Sequence, residues 1–172
     1  MIYSSLHLFS SACAFSALIH DVDHSGVPNA QLVKEGSPIA MAYENKSPAE
    51  QNSLAISWNL LMLPEFDELR SAIAPSNKDL QHFRQLVINV VMATDIADKN
   101  LKDLRNSRWA RAFNGEQVTT LEDINRKATI VIEHLIQASD ISHTMQHWYV
   151  YASFNLIHIA RIIKTTDQIL YL

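Results

Sequence analysis

The sequence predicts an all-α protein, and three observations predict it. Glycine and proline are scarce, three and five in 172 residues, so β-hairpins have little to turn on. Apolar residues recur in long stretches at helical spacing. Helix start and stop signals punctuate those stretches. With 48% apolar and 19% charged residues, the chain is long enough for one domain with a proper core and short for two.

The elements follow in order. Ile2 to Ile19 is apolar and predicts a buried first helix. Ala12-Cys13-Ala14 resembles a small-residue cleavage site, so a signal peptide is the alternative. The stretch lacks Lys and Arg, carries His7 and several serines, and runs directly into His20-Asp21, which favours a retained helix. Ser25-Gly26-Val27-Pro28-Asn29 breaks it and leaves His20 to His24 at its C-terminal end. Two short elements come next. Ser47-Pro48-Ala49-Glu50 reads as a capping box with proline at the first helical position, opening a helix through about Met62. Ser76-Asn77-Lys78-Asp79 repeats the start signal and opens a helix through about Asp95. Asp98 to Phe113 reads as another, with Leu101, Leu104 and Trp109 on its apolar face and Asn114-Gly115 as its stop. Thr119 or Thr120 then caps a long helix. Its stripe of Leu121, Ile124, Ala128, Ile132, Leu135 and Ile136 delivers Asp140 to the last turn or just beyond.

Composition excludes some functions. A net charge of -4 argues against a broad nucleic-acid face, which needs clustered Lys and Arg to displace counterions. Cys13 is the only cysteine, so no internal disulfide forms and nothing demands an oxidising compartment; a cytoplasmic home is expected. No stretch after the first helix reaches about 18 uninterrupted apolar residues, so no membrane span is expected within the chain.

His20 and Asp21, with Asp140 far downstream, form a mixed nitrogen and oxygen set that divalent cations accept. A doublet on one helix and a lone acid on another meet only when those helices pack. His24 reads equally as support for such a site or as an ordinary helix-end histidine. His143 and His147 stand four residues apart, but no Glu lies between them in the zincin manner, and a polar face beside Trp148 is the simpler reading.

His20-Asp21-Val22-Asp23-His24, with Gly26 and Asn29, resembles the HDxxHxGxxN signature of the class I cyclic nucleotide phosphodiesterases, helical members of the HD metallohydrolase group. Ala93-Thr94-Asp95 is similar to the family's Ala-Thr-Asp motif. Ala138-Ser139-Asp140-Ile141-Ser142 resembles its Ala-Asp-[Leu/Ile]-Ser element, with one serine inserted. The resemblance covers about Ala14 to Phe154; residues 155–172 depart from the pattern.

It implies a partial, HD-type all-α domain that hydrolyses cyclic AMP, cyclic GMP or both to the 5′-monophosphate with two divalent ions, Zn2+ and Mg2+ or Mn2+. His20, Asp21 and Asp140 would ligate metal, with Asp21 shared, and His24, Glu50, Thr94 and Asp95 would support them. Glu50 matches the acid of a Glu-Asn-His-His motif, but Gln51-Asn52-Ser53 replaces the rest. The histidine that protonates the leaving oxygen and the purine-gripping glutamine are expected outside this chain, so no catalytic acid is assigned within it. Low activity is expected, with any membrane attachment carried by other regions. The alternatives are a hydrolytically inactive helical module that binds metal or a partner, and a phosphohydrolase acting on another nucleotide.

Overall fold

The computed structural model describes residues 2–114, 120–142 and 152, and divides the chain into two compact units, Met1–Gln137 and Ala138–Leu172. Every regular element among the described residues is helical. In chain order they are α1 (Ile2–Ile19), α2 (Asn29–Lys34), α3 (Pro38–Ala42), α4 (Pro48–Leu61), a 3-10 turn (Pro64–Phe66), α5 (Asp67–Ile73), α6 (Asn77–Met92), α7 (Lys99–Phe113) and α8 (Leu121–Ile141). The expected starts and stops agree to within a residue or two, except that α6 ends at Met92. Asp95 therefore leaves the helix and stands in the loop before α7.

The core of the first unit is α1 laid along α6. Leu8, Phe9, Ala12 and Ile19 of α1 meet Phe83, Leu86, Val87 and Val91 of α6 in one buried cluster. Phe83 is fully buried, with the rings of Phe15 and Trp58 at 5.7 and 6.3 Å. Cleavage after Ala14 would remove Leu8, Phe9 and Ala12 from this core. Intact mass of the folded protein is accordingly expected to retain the first 14 residues, and a chain starting at Phe15 would contradict it.

Caps explain most helix starts. Ser37 Oγ accepts from the Ala40 N–H at 3.2 Å, Ser76 Oγ from Asp79 N–H at 3.2 Å, and Asp98 Oδ1 from Leu101 N–H at 3.0 Å. At α8 the cap is Thr120. Its Oγ1 accepts from the Asp123 N–H at 3.1 Å, while Asp123 Oδ2 accepts from the Thr120 N–H at 3.1 Å, a reciprocal capping box.

Two apolar faces differ from the periodic reading. On α7, Leu104 and Trp109 are exposed, and the buried residues are Arg105 and Ala112. On α8 half of the stripe holds, with Ala128, Ile132 and Ile136 packed on the core, but Leu121, Ile124 and Leu135 are exposed and Thr129, Ile130 and Glu133 are buried. The reason is electrostatic. Buried Glu133 receives both of its hydrogen bonds from Arg108 Nη1, at 2.9 Å each, and Arg105 Nη2 donates to the Asp95 carbonyl at 3.3 Å. A buried carboxylate must face its partners, so these pairs fix the rotation of both helices.

Candidate functional site

The His20–His24 stretch curls into a tight loop as α1 ends. The His20 N–H still bonds the Ser16 carbonyl at 3.0 Å, but those of Val22 and His24 bond only three residues back. Asp23 and Gly26 both take positive φ, +60° and +78°. Gly26 meets that demand without strain, and its own N–H is put to use below.

The two histidines are wired in opposite senses. His20 Nδ1 lies 3.0 Å from the Ala17 carbonyl. A carbonyl only accepts, so Nδ1 carries the proton, and in the neutral ring Nε2 keeps its lone pair. That Nε2 stands 3.5 Å from Asp21 Oδ2. A lone pair and a carboxylate oxygen at this separation fit one divalent ion bonded to each at about 2.0–2.2 Å. A backbone carbonyl holding the far ring nitrogen is also the usual support of a ligating histidine. In His24, by contrast, Nδ1 accepts from the Gly26 N–H at 3.0 Å. The proton of neutral His24 is therefore on Nε2.

Asn29 organises the ground behind them. Its Nδ2 donates to Glu50 Oε2 at 2.8 Å and to Asp95 Oδ2 at 3.1 Å, and its Oδ1 accepts from the Ala49 N–H at 3.1 Å. One amide thus joins α2, the first turn of α4 and the loop after α6. Asp95 is buried, and its other oxygen accepts from the Ala97 and Asp98 N–H groups, both at 3.1 Å. Burial pushes the Glu50 carboxyl above the ordinary 4.5, the Asn29 bond works against that shift, Asp95 adds to it, and nearby His24 eases it.

Glu50, Asp95 and His24 are thus brought together. Thr94 lies beside them in sequence, its Oγ1 donating to the Val91 carbonyl at 2.7 Å.

The expected capping box at Ser47 does not form. Ser47 is left-handed (φ 39°), and its hydroxyl makes no cap bond. Asn29 caps the helix from another element instead, because the same amide must reach Glu50. The replaced positions of the Glu-Asn-His-His motif also have tasks. Asn52 Nδ2 donates to Asp23 Oδ2 at 3.0 Å and Ser53 Oγ to the Val22 carbonyl at 2.7 Å, so α4 grips the loop between the two histidines.

Asp140 sits on the last turn of α8, in the second unit, as the helical stripe predicts. Among the described residues of the first unit, no third His, Cys, Asp or Glu joins His20 and Asp21 as a ligand cluster. His143 and His147 lie outside the described residues. The sequence reading missed the hub role of Asn29, although Asn29 is a fixed position of the motif. It also missed Arg105, for which the sequence carries no signal.

A helical domain built around a His-Asp doublet, with buried Asp95 and half-buried Glu50 held by one amide, is the class of site these residues define. The profile of the 3′5′-cyclic nucleotide phosphodiesterase family matches residues 3–168, and the chain belongs to that family, which is metal-dependent. It is 32% identical over 146 residues to the probable 3′,5′-cyclic-AMP phosphodiesterase pde-4 of Caenorhabditis elegans, covering 84% of this chain and 21% of that protein. A 3′,5′-cyclic-AMP phosphodiesterase of Drosophila melanogaster, isoform F, is 31% identical over 131 residues, 75% of this chain and 19% of the relative. The chain therefore spans about a fifth of the length of these relatives. The fold is similar to that of the phosphodiesterase domain of a RhoPDE fusion protein from the choanoflagellate Salpingoeca rosetta. The TM-score is 0.69 at 20% identity, covering 84% of this chain and 44% of the other. No helix among the described residues is long and apolar enough to cross a membrane.

Proposed function

We propose that this chain carries the metal-binding core of a 3′,5′-cyclic nucleotide phosphodiesterase acting on cyclic AMP, cyclic GMP or both, with the 5′-monophosphate as product. The observation that carries the proposal is the opposite wiring of the two histidines. His20 Nε2 stands 3.5 Å from Asp21 Oδ2 with its Nδ1 on the Ala17 carbonyl, whereas the Nδ1 of His24 accepts from Gly26.

His20 and Asp21 would hold a zinc ion. Asp21 would be shared with a magnesium or manganese ion, which prefers oxygen ligands. When bound, such ions supply Lewis acidity toward phosphoryl oxygens and acidify water. The chain's own residues do the rest. His24 Nε2–H is free of its ring's internal bond to donate to a phosphate oxygen, and Asn29 keeps Glu50 and Asp95 apart yet in place behind it. The names of the relatives favour cyclic AMP. A cytoplasmic location fits a chain whose only cysteine is Cys13.

A second reading, a helical module that binds metal without hydrolysis, draws on one observation. Asn52 and Ser53, at positions where the family motif has histidines, are spent on holding the loop.

Calorimetric titration with Zn2+ and Mg2+, alongside turnover of cyclic AMP and cyclic GMP, separates the two. Metal binding with hydrolysis supports the phosphodiesterase, and metal binding without it supports the module. In either case Asp21→Asn, which removes the charge and nearly keeps the volume, is expected to weaken zinc binding by about a hundredfold. Unchanged affinity would remove Asp21 from the ligand set.

A further inference from the structure

The first unit contains a groove of about 670 Å³ between α4, α6 and the start of α7, and none of the candidate site residues lines it. Its size is that of a small-molecule pocket. Leu54, Trp58 and Val87 form an apolar floor, and Lys46 and Arg84 stand at its edge. The Arg84 guanidinium lies over the Trp58 ring, 5.2 Å from its centroid, so a cation is held against a flat apolar wall. The acid that shares the lining, Asp98, already caps α7 through the Leu101 N–H. Lys46 has a partner in Glu44 at 3.3 Å, but both are well exposed and such a pair exchanges readily.

We propose that the groove binds a small amphipathic anion, a flat apolar body carrying one carboxylate, sulfonate or phosphate. The body would lie against Leu54 and the edge of Trp58, and the anionic group would meet Arg84 and Lys46. The proposal is independent of the phosphodiesterase reading.

The probe is 1-anilinonaphthalene-8-sulfonate, titrated into the 172-residue protein and followed by its emission, beside the uncharged N-phenyl-1-naphthylamine. Saturable binding of one sulfonate per chain is expected, with the uncharged probe weaker by about tenfold. Arg84→Gln should weaken the sulfonate by about the same factor, and Ala55→Trp, which fills the groove, should abolish saturation. Circular dichroism melting checks that each variant is folded. Should Ala55→Trp not fold, the exposed Arg84 position decides alone. Equal affinity in Arg84→Gln, equal affinity of the uncharged probe, or sulfonate binding that never saturates each overturns the proposal.

Discussion

Asn29→Asp is expected to destabilise the protein by about 3–5 kcal/mol at pH 8 and by clearly less near pH 4.5. The amide donates to two carboxylates at once, Glu50 at 2.8 Å and Asp95 at 3.1 Å. Aspartate keeps the shape but replaces the donor with a third carboxylate oxygen. Two charge-assisted bonds, each worth about 1.5–3 kcal/mol, become repulsions in a partly buried space.

The pH dependence follows from the direction of the Glu50 shift. Its folded carboxyl titrates above 4.5, mainly because of burial, so the folded state holds that proton longer than the unfolded chain. The contribution is fully present below about 4.5 and is lost as pH rises through the raised value. Asn29→Asp raises that value further and deepens the loss at high pH. Urea denaturation of both proteins at the two pH values measures it. An equal loss at both would mean that Asn29 fills space rather than separating charges.

Glu133→Leu is expected to cost about 3–5 kcal/mol of stability, despite placing a leucine where the helix is already apolar. Glu133 is 2% exposed and takes two bonds from Arg108, while buried Arg105 is drawn toward the same carboxylate. Removing the acid strands the Arg108 guanidinium and takes one of the negative charges that offset the burial of Arg105. Burial raises the Glu133 carboxyl above its ordinary value and Arg108 opposes that rise, so this pair too loses part of its contribution as pH climbs through the raised value.

The double variant Arg108→Met, Glu133→Leu is expected to recover part of the loss, since an apolar pair can replace an ionic one. Guanidinium denaturation of the two single variants and the double variant completes the cycle. Additive losses would show that Arg108 and Glu133 are not coupled.

These two positions also mark the boundary of what could be read from the chain. Asn29 was visible as a fixed position of the His-Asp signature. Its reach to Glu50 and Asp95, 21 and 66 residues away, depended on three elements converging. Glu133 lies inside the apolar run from Ile130 to Ile136, and nothing near Arg105 in sequence marks either residue for burial. Periodicity assigns faces by hydrophobicity alone, and a buried ionic pair inverts that rule because its cost is met by a partner that periodicity does not see.

The sequence by itself determined the helical class, the order of the helices, the caps at Ser76 and Thr120 and the location of the His-Asp doublet. Each of these is set by residues within about four positions of one another, the range of a helical hydrogen bond or a capping side chain. The wiring of the two histidines is local in the same sense, since the Ala17 carbonyl lies three residues before His20 and the Gly26 N–H two residues after His24. Only the tertiary structure decided that Ser47 would leave its cap to Asn29, and that α7 and α8 would bury Arg105 and Glu133 beside their apolar residues. Those outcomes depend on groups distant in sequence competing for the same buried space, and that competition exists only once the chain has folded.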